Sequence, residues 1–302
     1  MAASTSLAGN PLIDFSNHAA HIVERVGESI VAVRGGRASA SGIHWRSGVI
    51  VTAEEILEQD EDITLTLPDG RTVAATLAGR DPGTDVAVLR FQPDGLSIAQ
   101  TGDAGALRAG HLVFAIGSRD GAPVASFGIA AQVGSAWHSM RGSTIDHLLR
   151  LDLSLLRAAE GGALVDTEGR VLGMAVFGPR RRVLAIPTST IDRAVDQLLA
   201  KGHVSRGYLG AGLQHVRLGR SSDKSVRRGI LVVNIDSDGP AAKAGLLVGD
   251  IITAWNSAPV DRVRDVIRLL GPDSVGATAA LSLLRGGGPS EVRVTIGERP
   301  LT

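Results

Sequence analysis

Apolar residues recur at two different intervals along the chain, and the interval separates predicted helices from predicted strands. Over Ser16–Val26 they fall three or four positions apart, which predicts a short helix with Ser16 as its N-terminal cap. Thr188–Gly202 shows the same spacing, with Thr190 in the capping position and Gly202 at the end. We expect this second helix to connect two domains.

Between these helices the chain is a succession of short apolar or alternating runs separated by glycine-rich turns. The turn Pro68-Asp69-Gly70 has the chemistry of a β-hairpin. Many short strands at this spacing are typical of β-barrels, so we predict two all-β lobes, at residues 28–96 and 105–187. The predicted strands are Ser29–Val33, Ser41–Trp45, Gly48–Thr52, Ile63–Leu67, Thr72–Leu77, Asp85–Leu89, His111–Ile116, Ala122–Val133, His147–Leu151, Gly162–Val165, Val171–Val176 and Val183–Ile186.

Residues 207–300 show a different pattern, in which strands are interrupted by helical segments. A helix is predicted over Asp261–Leu270, where Val263, Ile267 and Leu270 have the spacing of one face. These signals predict a smaller domain that mixes helix and strand. Its predicted strands are Gly229–Ile235, Ile251–Trp255, Ala279–Leu284 and Glu291–Ile296.

Composition limits the classes of function. The chain has 302 residues, of which 44% are apolar and 21% charged, as in a globular protein. Its 31 basic and 31 acidic residues give a formal net charge of +0, so no basic field exists to hold nucleic acid or an anionic membrane. Two local basic groups, Arg180–Arg182 and Lys224 with Arg227 and Arg228, are interpreted as solvated loops. Cysteine is absent, which excludes disulfides, thiolate metal sites and a cysteine nucleophile.

The N-terminal segment Met1–Pro11 is small and polar, and we expect it to be mobile. It contains neither Lys nor Arg and no long apolar run, so it lacks the shape of a secretory signal. No stretch reaches the ~20 apolar residues that span a bilayer. We therefore expect a cytoplasmic protein with no membrane span, or a periplasmic protein if a signal has been removed.

One short stretch carries the candidate chemistry, the run Ala158-Ala159-Glu160-Gly161-Gly162-Ala163-Leu164. Its two adjacent glycines permit a sharp turn with positive φ, which side chains would block. Such a turn can aim backbone N–H groups at one point, as an oxyanion hole does. Glu160 stands directly before the glycine pair, and its identity decides what this turn can do.

Several segments together carry a resemblance to a known family. In chain order they are Ser41-Gly42 with Gly48–Thr52, Asp81–Leu89, Leu107–Gly117, Asp152, Gly161-Gly162, Gly169–Gly173, Ala185–Pro187, Arg206–Gly210, Gly239–Leu246 and Gly249–Ile252. With these segments, residues 28–300 resemble the HtrA/DegP type of serine protease, in which a trypsin-like domain is followed by a PDZ domain. Asp81–Leu89 resembles the stretch that supplies the aspartate of the catalytic triad.

The resemblance implies a mainly β fold, a trypsin-like double β-barrel followed by a smaller α+β PDZ domain. The domains would be an N-terminal segment with a short helix at 1–27, a protease-like domain at 28–187, a linking helix at 188–205 and a PDZ domain at 206–300. The resemblance also implies a homo-oligomer, a trimer formed through the N-terminal region, where Phe15 is the only aromatic residue.

The chain departs from the family pattern at two of the three catalytic positions. The family's histidine and serine match Glu55 and Glu160, whereas its aspartate matches Asp85. A triad needs a nucleophile, a base that titrates near neutral pH and a group that orients this base. Glutamate attacks an amide poorly, and its reference pKa is about 4.3. The family's glycine is also replaced by Ala158, so we expect a degenerate triad and no ordinary serine-protease activity.

Several alternatives remain open for this centre. Ser154 with His44 or His111 would be a substitute triad, although nothing in the sequence places them together. The three carboxylates could converge, with one protonated, one neutralised by Arg157, or a divalent cation bound among them. The interpretation we favour is that Glu160 faces water or pairs with Arg157. A glycosidase-like carboxylate pair lacks a supporting cluster of aromatic residues.

The PDZ-like segment implies a peptide-binding groove. PDZ domains add an extended C-terminal peptide as an extra strand, and the N–H groups of a loop bind its carboxylate. The resemblance places the carboxylate-binding loop at Tyr208–Ala211, the accepting strand at Gly212–Val216 and the opposite wall on the helix Asp261–Leu270. Three residues of that helix have an alternative interpretation as core, which we expect to hold for at least one of them. The implied peptide-binding residues are Tyr208, Leu209, Gly210, Ala211, Gly212, Leu213, Val263, Ile267 and Leu270.

We therefore predict an HtrA-like pseudoprotease that is catalytically inactive and uses no cofactor. It would bind C-terminal or unfolded peptides through its PDZ domain, as a scaffold, adaptor or chaperone-like module, and would not bind nucleic acid. One alternative is an active endopeptidase with a non-standard site. Another is a divalent-metal-binding protein whose ligands are Glu55, Asp85 and Glu160.

Overall fold

The structure is a computed structural model of the chain, and it describes residues 10–36, 39–93, 95–218 and 228–300. Residues 1–9 of the predicted mobile segment, and Lys224 and Arg227 of the second basic group, lie outside the described residues. The chain divides into two compact units. One consists of Met1–Trp137 with Ile145–His203, and the other of His138–Thr144 with Val204–Thr302.

The first six strands form a closed antiparallel barrel. They are β1 (Ile30–Arg34), β2 (Ser39–Arg46), β3 (Val49–Thr52), β4 (Ile63–Thr66), β5 (Thr72–Asp81) and β6 (Val86–Arg90). Their order around the barrel is β1–β2–β3–β6–β5–β4. The hairpin predicted at Pro68-Asp69-Gly70 is confirmed, because Thr66 and Thr72 face each other across β4 and β5.

Six of the next eight strands form a second closed barrel, in the order β11–β14–β13–β12–β7–β8. In chain order the eight are β7 (Leu112–Arg119), β8 (Ala122–Gly134), β9 (Trp137–His138), β10 (Thr144–Ile145), β11 (Leu148–Asp152), β12 (Ala163–Val165), β13 (Val171–Gly178) and β14 (Arg182–Pro187). Each barrel has its own core of buried aliphatic side chains, because inward positions alternate along every strand. The two predicted all-β lobes are therefore confirmed.

The two longer helices begin at residues other than those predicted. α1 spans Pro11–Gly27 and is capped by Asn10, whose side chain accepts from the N–H of Leu12 at 3.0 Å. The prediction of Ser16 as the cap was wrong, because Asn caps well and Pro is tolerated in the first turn. Among the described residues, no helix is long and apolar enough to cross a membrane.

α2 spans Thr188–Lys201 and ends at Gly202, as predicted, and Gly202 has a left-handed backbone conformation. The prediction of Thr190 as its cap was wrong. Thr190 is buried inside the first turn, and its hydroxyl accepts from the N–H of Asp146 at 3.0 Å. A contact with a distant loop therefore takes the hydroxyl that a local rule would assign to capping.

The C-terminal unit is a β-sheet with two short helices. Its elements are β15 (Gly207–Tyr208), β16 (Ala211–Arg217), β17 (Arg228–Ile235), α3 (Pro240–Lys243), β18 (Ile251–Trp255), β19 (Ala258–Pro259), α4 (Val263–Leu269), β20 (Thr278–Arg285), β21 (Gly288–Thr295) and β22 (Gly297–Glu298). The main sheet has the order β16–β17–β18–β20–β21, so β16 lies at one edge. α4 begins two residues later than predicted, because Arg262 is extended and its N–H donates to Asp265 Oδ2 at 2.9 Å.

Candidate functional site

Two of the predicted site carboxyls come together at one end of the first barrel. Glu55 lies on a 3₁₀ turn, Glu54–Ile56, that follows β3, and Asp85 lies in the turn before β6. β3 pairs with β6, which brings these two turns together. The N–H of Glu55 donates to Asp85 Oδ1 at 3.1 Å, and the N–H of Glu54 donates to the Asp85 carbonyl at 3.3 Å.

Glu160 reaches the same place from the second barrel, where it follows the 3₁₀ turn Arg157–Ala159. It is only 8% exposed. The N–H of Phe177 donates to Glu160 Oε1 at 3.4 Å, and the carboxyl of Glu55 is hydrogen-bonded to that of Glu160. The carboxyl of Glu160 is mostly buried rather than facing water, and the charge of Arg157 acts on it, so its pairing with Arg157 stays a prediction. The structure brings Glu55, Asp85 and Glu160 into one group.

Burial and mutual repulsion change the protonation of this group. The pKa of Asp85 is raised to about 7, chiefly by burial; the N–H of Glu55 opposes the rise, and the charges of Glu55, Glu54 and Glu160 add to it. The pKa of Glu160 is also raised, first by burial and then by Glu55, while the bond from the N–H of Phe177 and the charge of Arg157 oppose the rise. Carboxylates this close do not all ionise, so the group retains a proton near neutral pH.

The glycine pair after Glu160 is required by close packing. Gly161 has φ of +78°, and a β-carbon there would lie 2.4 Å from the Ser41 carbonyl oxygen. At Gly162, which lacks a positive φ, a β-carbon would lie 2.3 Å from the Ile116 carbonyl oxygen. The prediction that side chains would block this turn is confirmed, by φ at the first glycine and by close approach at both.

Two N–H groups of the same turn are already bonded within the chain. The N–H of Glu160 donates to the Arg157 carbonyl at 3.2 Å, and the N–H of Gly161 donates to the Ala175 carbonyl at 2.9 Å. An oxyanion hole needs such donors free and aimed at the place where negative charge develops. The N–H groups of Glu160 and Gly161 are therefore already in use, and the expectation that this turn aims N–H groups at one point stays a prediction for its remaining donors.

A cavity of about 390 Å³ lies beside the carboxyl group. The guanidinium of Arg181 lies 5.0 Å from the centre of the Phe177 ring, which is a cation–π contact. Sequence reasoning treated Arg180–Arg182 as a solvated loop and did not single out Phe177. No local signal identifies these two residues, because the cavity is assembled from segments far apart in the sequence. It is lined by Ser39, Glu55, Ile56, Glu58, Arg157, Glu160, Phe177 and Arg181.

The structure provides no preformed metal site at this centre. Within residues 10–36, 39–93, 95–218 and 228–300, no group of three or more His, Asp or Glu side chains is placed to hold a metal ion.

The residues considered for a substitute triad lie in separate places. His44 is buried, and its Nδ1 lies 2.9 Å from the Ser97 carbonyl oxygen. The ring of His111 is hydrogen-bonded to Arg108 at 3.3 Å, and Ser154 is exposed beyond the end of β11. In the part of the chain that the structure describes, Ser154 has no hydrogen bond to either histidine. The structure does not assemble this alternative.

In the C-terminal unit, the predicted carboxylate-binding loop Tyr208–Ala211 joins β15 to β16. The carbonyls of Leu209 and Gly210 accept from the N–H groups of Ala241 at 2.8 Å and Asp236 at 3.0 Å. Among the described residues, no carbonyl accepts from the N–H groups of Leu209 and Gly210. This loop thus has the donors that a carboxylate needs.

The predicted accepting strand and the opposite helix have the geometry of two groove walls. The range Gly212–Val216 lies within β16, an edge strand whose pairing within the described sheet is with β17 alone. On α4, Val263 and Leu270 pack against the hydrophobic core, as expected for at least one of the three helix residues. Ile267 is 44% exposed and lies against Gly142, where a β-carbon would come within 2.6 Å of Ile267 Cγ2. The peptide-binding roles of these residues stay a prediction.

Comparison with known proteins agrees with this architecture. Residues 40–174 match the trypsin-like peptidase domain family, and residues 207–296 match the PDZ domain family. The chain is 34% identical over 268 residues to a probable periplasmic serine endoprotease DegP-like of Brucella suis, and 34% identical over 266 residues to that of Halomonas elongata. These matches cover 84% of this chain but 51% and 55% of the relatives, so the chain spans about half the length of the curated relatives it matches.

Two solved structures extend the match to most of the fold. The serine endoprotease from Yersinia pestis aligns with a TM-score of 0.73 and 29% identity, over 93% of this chain and 98% of that chain. The HtrA-type protease AlgW with tripeptide aligns with a TM-score of 0.70 and 25% identity, over 94% and 98%. Because the curated relatives are named periplasmic, the expectation of a cytoplasmic protein is not supported. Two closed barrels in tandem, a following PDZ domain and these relatives together show that the chain belongs to the HtrA/DegP-type serine protease family.

Proposed function

We propose that this chain is a catalytically inactive HtrA-like pseudoprotease that binds C-terminal or unfolded peptides through its PDZ domain. It acts as a scaffold, adaptor or chaperone-like module, without a cofactor. By analogy with relatives named periplasmic, it works in that compartment.

The observation that carries the inactive assignment is the state of Glu160. Its carboxyl is buried against Glu55, and its N–H is bonded to the Arg157 carbonyl, at the turn that would hold a serine nucleophile. A buried carboxyl whose pKa is raised by burial is a poor nucleophile for an amide. The donor that would stabilise an oxyanion is also already in use.

The principal alternative is an active endopeptidase with a non-standard site. It is favoured by the names of the curated relatives, which are serine endoproteases, and by the cavity beside the three carboxyls. The metal-binding alternative rests only on the presence of Glu55, Asp85 and Glu160, because the described residues show no ligand set.

Peptide binding is supported by the open edge of β16 and the N–H groups of the Tyr208–Ala211 loop. A structural relative, the HtrA-type protease AlgW, is known with a tripeptide. An extended peptide would pair with β16, and its carboxylate would accept from Leu209 and Gly210.

We also propose that the chain forms a homo-oligomer, a trimer, through α1 and β8. The rings of Phe15 and Phe127 lie 5.6 Å apart and are 40% and 48% exposed, and Leu12 of the same helix is 77% exposed. Apolar groups exposed together are a typical interface. Light scattering would show a trimer for the parent chain and a lower mass for Phe127→Ser, and a monomeric parent would refute this assembly.

The test of inactivity is cleavage of an unfolded fluorescent protein by three purified chains: the parent, Glu160→Ala and a Glu55→His/Glu160→Ser variant. We expect no turnover by the parent. We expect little by the double variant as well, because restoring two side chains does not free the N–H at position 160. Turnover by the parent that Glu160→Ala abolishes would make the carboxyls catalytic and overturn the proposal. Turnover that survives Glu160→Ala would indicate a contaminating protease.

The test of peptide binding is fluorescence anisotropy of labelled peptides with apolar C-termini. We expect the free acid to bind more tightly than the same peptide with an amidated C-terminus, because the amide removes the charge that the loop N–H groups accept. Equal affinity for the two forms would contradict a PDZ-type mode of binding.

A further inference from the structure

The helix wall of the proposed groove carries positive charge that has no ion-pair partner among the described residues. Arg264 and Arg268 lie four residues apart on α4, so they are neighbours on the helix surface. Both are exposed, and neither forms an ion pair with another described residue. Asp265 lies between them in sequence but accepts from the N–H of Arg262, and Asp261 precedes the helix. Like charges at this spacing destabilise a helix, so packing of the unit does not account for the pair.

The strand wall carries positive charge on the same face of β16 as Leu213, at positions beyond the part that packs against the core. Leu213 of β16 packs against the hydrophobic core, and side chains two apart on a strand share a face. His215 and Arg217 therefore follow Leu213 on that face, and both are exposed. Arg217 has no ion pair among the described residues. Both walls of the groove thus present cationic side chains beyond the apolar part.

The directions of the two elements place these charges relative to a bound peptide. The carbonyl of Leu270 accepts from the N–H of Gly207 at 3.0 Å, so the end of α4 lies beside the start of the carboxylate-binding loop. β16 runs away from this loop, and α4 runs towards it. At a rise of about 1.5 Å per helical residue, Arg264 lies about 9 Å from the level of Leu270. At about 3.4 Å per strand residue, Arg217 lies about 20 Å beyond Ala211.

We infer that the groove selects peptides that carry acidic residues about three to six positions before an apolar, free C-terminus. This inference rests on the proposed peptide-binding function and names the ligand class of the same groove. The apolar C-terminal residues occupy the part of the groove near Leu213 and Leu270. The carboxylates upstream pair with Arg264 and Arg268 on the helix and with Arg217 on the strand.

The test compares three labelled peptides that share an apolar C-terminus and differ upstream, where they carry Glu, Gln or Lys. Binding to the full chain is measured by anisotropy at low salt. We expect the Glu peptide to bind about fivefold more tightly than the Gln peptide, and the Lys peptide to bind most weakly, because exposed charge pairs contribute modestly. At about 0.5 M salt the preference should fall below about twofold, since exposed charges are screened.

Variants locate the effect on the groove. Arg264→Gln and Arg217→Gln should each halve the preference for the Glu peptide, and the triple variant Arg264→Gln/Arg268→Gln/Arg217→Gln should abolish it. Arg293→Gln is the matched control, because this exposed arginine lies on β21 at the opposite edge of the same sheet and should leave the preference unchanged. Equal affinity for the Glu and Gln peptides, with amidation still weakening both, would overturn this inference and leave the proposed function standing. If no peptide distinguishes acid from amide, the proposed function itself fails.

Discussion

Asp85 provides the sharpest test of the carboxyl group, because replacement by Asn removes its charge and keeps its shape. Asn can still accept from the N–H of Glu55, which donates to Asp85 Oδ1 at 3.1 Å. Asn also tolerates the left-handed backbone at this position, where φ is 58°. The substitution therefore isolates the titration of one buried carboxyl from its packing.

The expected effect follows from the raised pKa of Asp85, about 7 in the folded chain against an ordinary value of 3.8. A group whose folded pKa is raised binds more protons in the folded state, so its contribution to stability is complete below pH 3.8 and is lost as the pH rises through about 7. Between pH 5 and pH 8 this loss amounts to about 2.5 kcal/mol. Asp85→Asn lacks this loss, so its free energy of unfolding, relative to that of the parent, should rise by about 2.5 kcal/mol from pH 5 to pH 8.

The assay is urea unfolding of the full chain labelled with 5-fluorotryptophan and followed by fluorine NMR. The three tryptophans give separate signals, so the two units can be followed in one sample. Trp45 is a buried residue of the first barrel, and Trp255 is a buried residue of the C-terminal unit. The difference between variant and parent is the quantity to compare, because other groups also titrate between pH 5 and pH 8.

Asp62→Asn is the matched control, because Asp62 has a similar φ of 55° but is exposed. For this control, the difference from the parent should be the same at both pH values. If the unfolding free energies of Asp85→Asn and the parent, read at Trp45, stay parallel within about 0.5 kcal/mol from pH 5 to pH 8, the account of a proton held at this centre is refuted.

Three further predictions concern stability. Gly161→Ala should lower the free energy of unfolding by about 3 kcal/mol or more, because its β-carbon would lie 2.4 Å from the Ser41 carbonyl oxygen. Gly245→Ala, which has the same φ of +78° but no atom within 4 Å, should lower it by only about 1 kcal/mol. Equal losses in urea unfolding would contradict the packing argument. The guanidinium of Arg285 donates to both carboxylate oxygens of Asp250, at 2.7 and 2.8 Å. Asp250→Ala removes this partner and should destabilise the C-terminal unit by about 3 kcal/mol, read at the Trp255 signal. A loss under about 1 kcal/mol would count against this. Burial lowers the pKa of His44, so its contribution to stability is present above the ordinary pKa of 6.5 and is lost as the pH falls below that value. His44→Gln should therefore reduce the loss of unfolding free energy between pH 7 and pH 5, and an unchanged pH dependence of that free energy would refute this.

Much of the fold follows from local patterns in the sequence. The strand predicted at Ile251–Trp255 has those bounds in the structure, and most other strands agree within a few residues. The hairpin at Pro68-Asp69-Gly70 and the end of α2 at Gly202 were also predicted. These features depend on side-chain alternation, helical spacing and turn chemistry, which are all set by residues near one another in the chain.

The candidate site was predicted only in outline. The sequence identified Glu55, Asp85 and Glu160 as members of one centre, and the structure brings them together. It did not show that Glu160 is buried, with the carboxyl of Glu55 and the charge of Arg157 both acting on it, rather than facing water. Pairing of β3 with β6 and contact between the two barrels decide this, and both depend on residues far apart in sequence.

The order of strands and helices, the family resemblance and the residue types at the altered centre can all be read from the amino-acid sequence. The folded structure is needed to see which polar groups are buried, which N–H groups are already bonded and which charges line the cavity and the groove. Secondary structure follows from short-range periodicity and backbone conformation, whereas burial and protonation depend on neighbours that only the folded chain brings together.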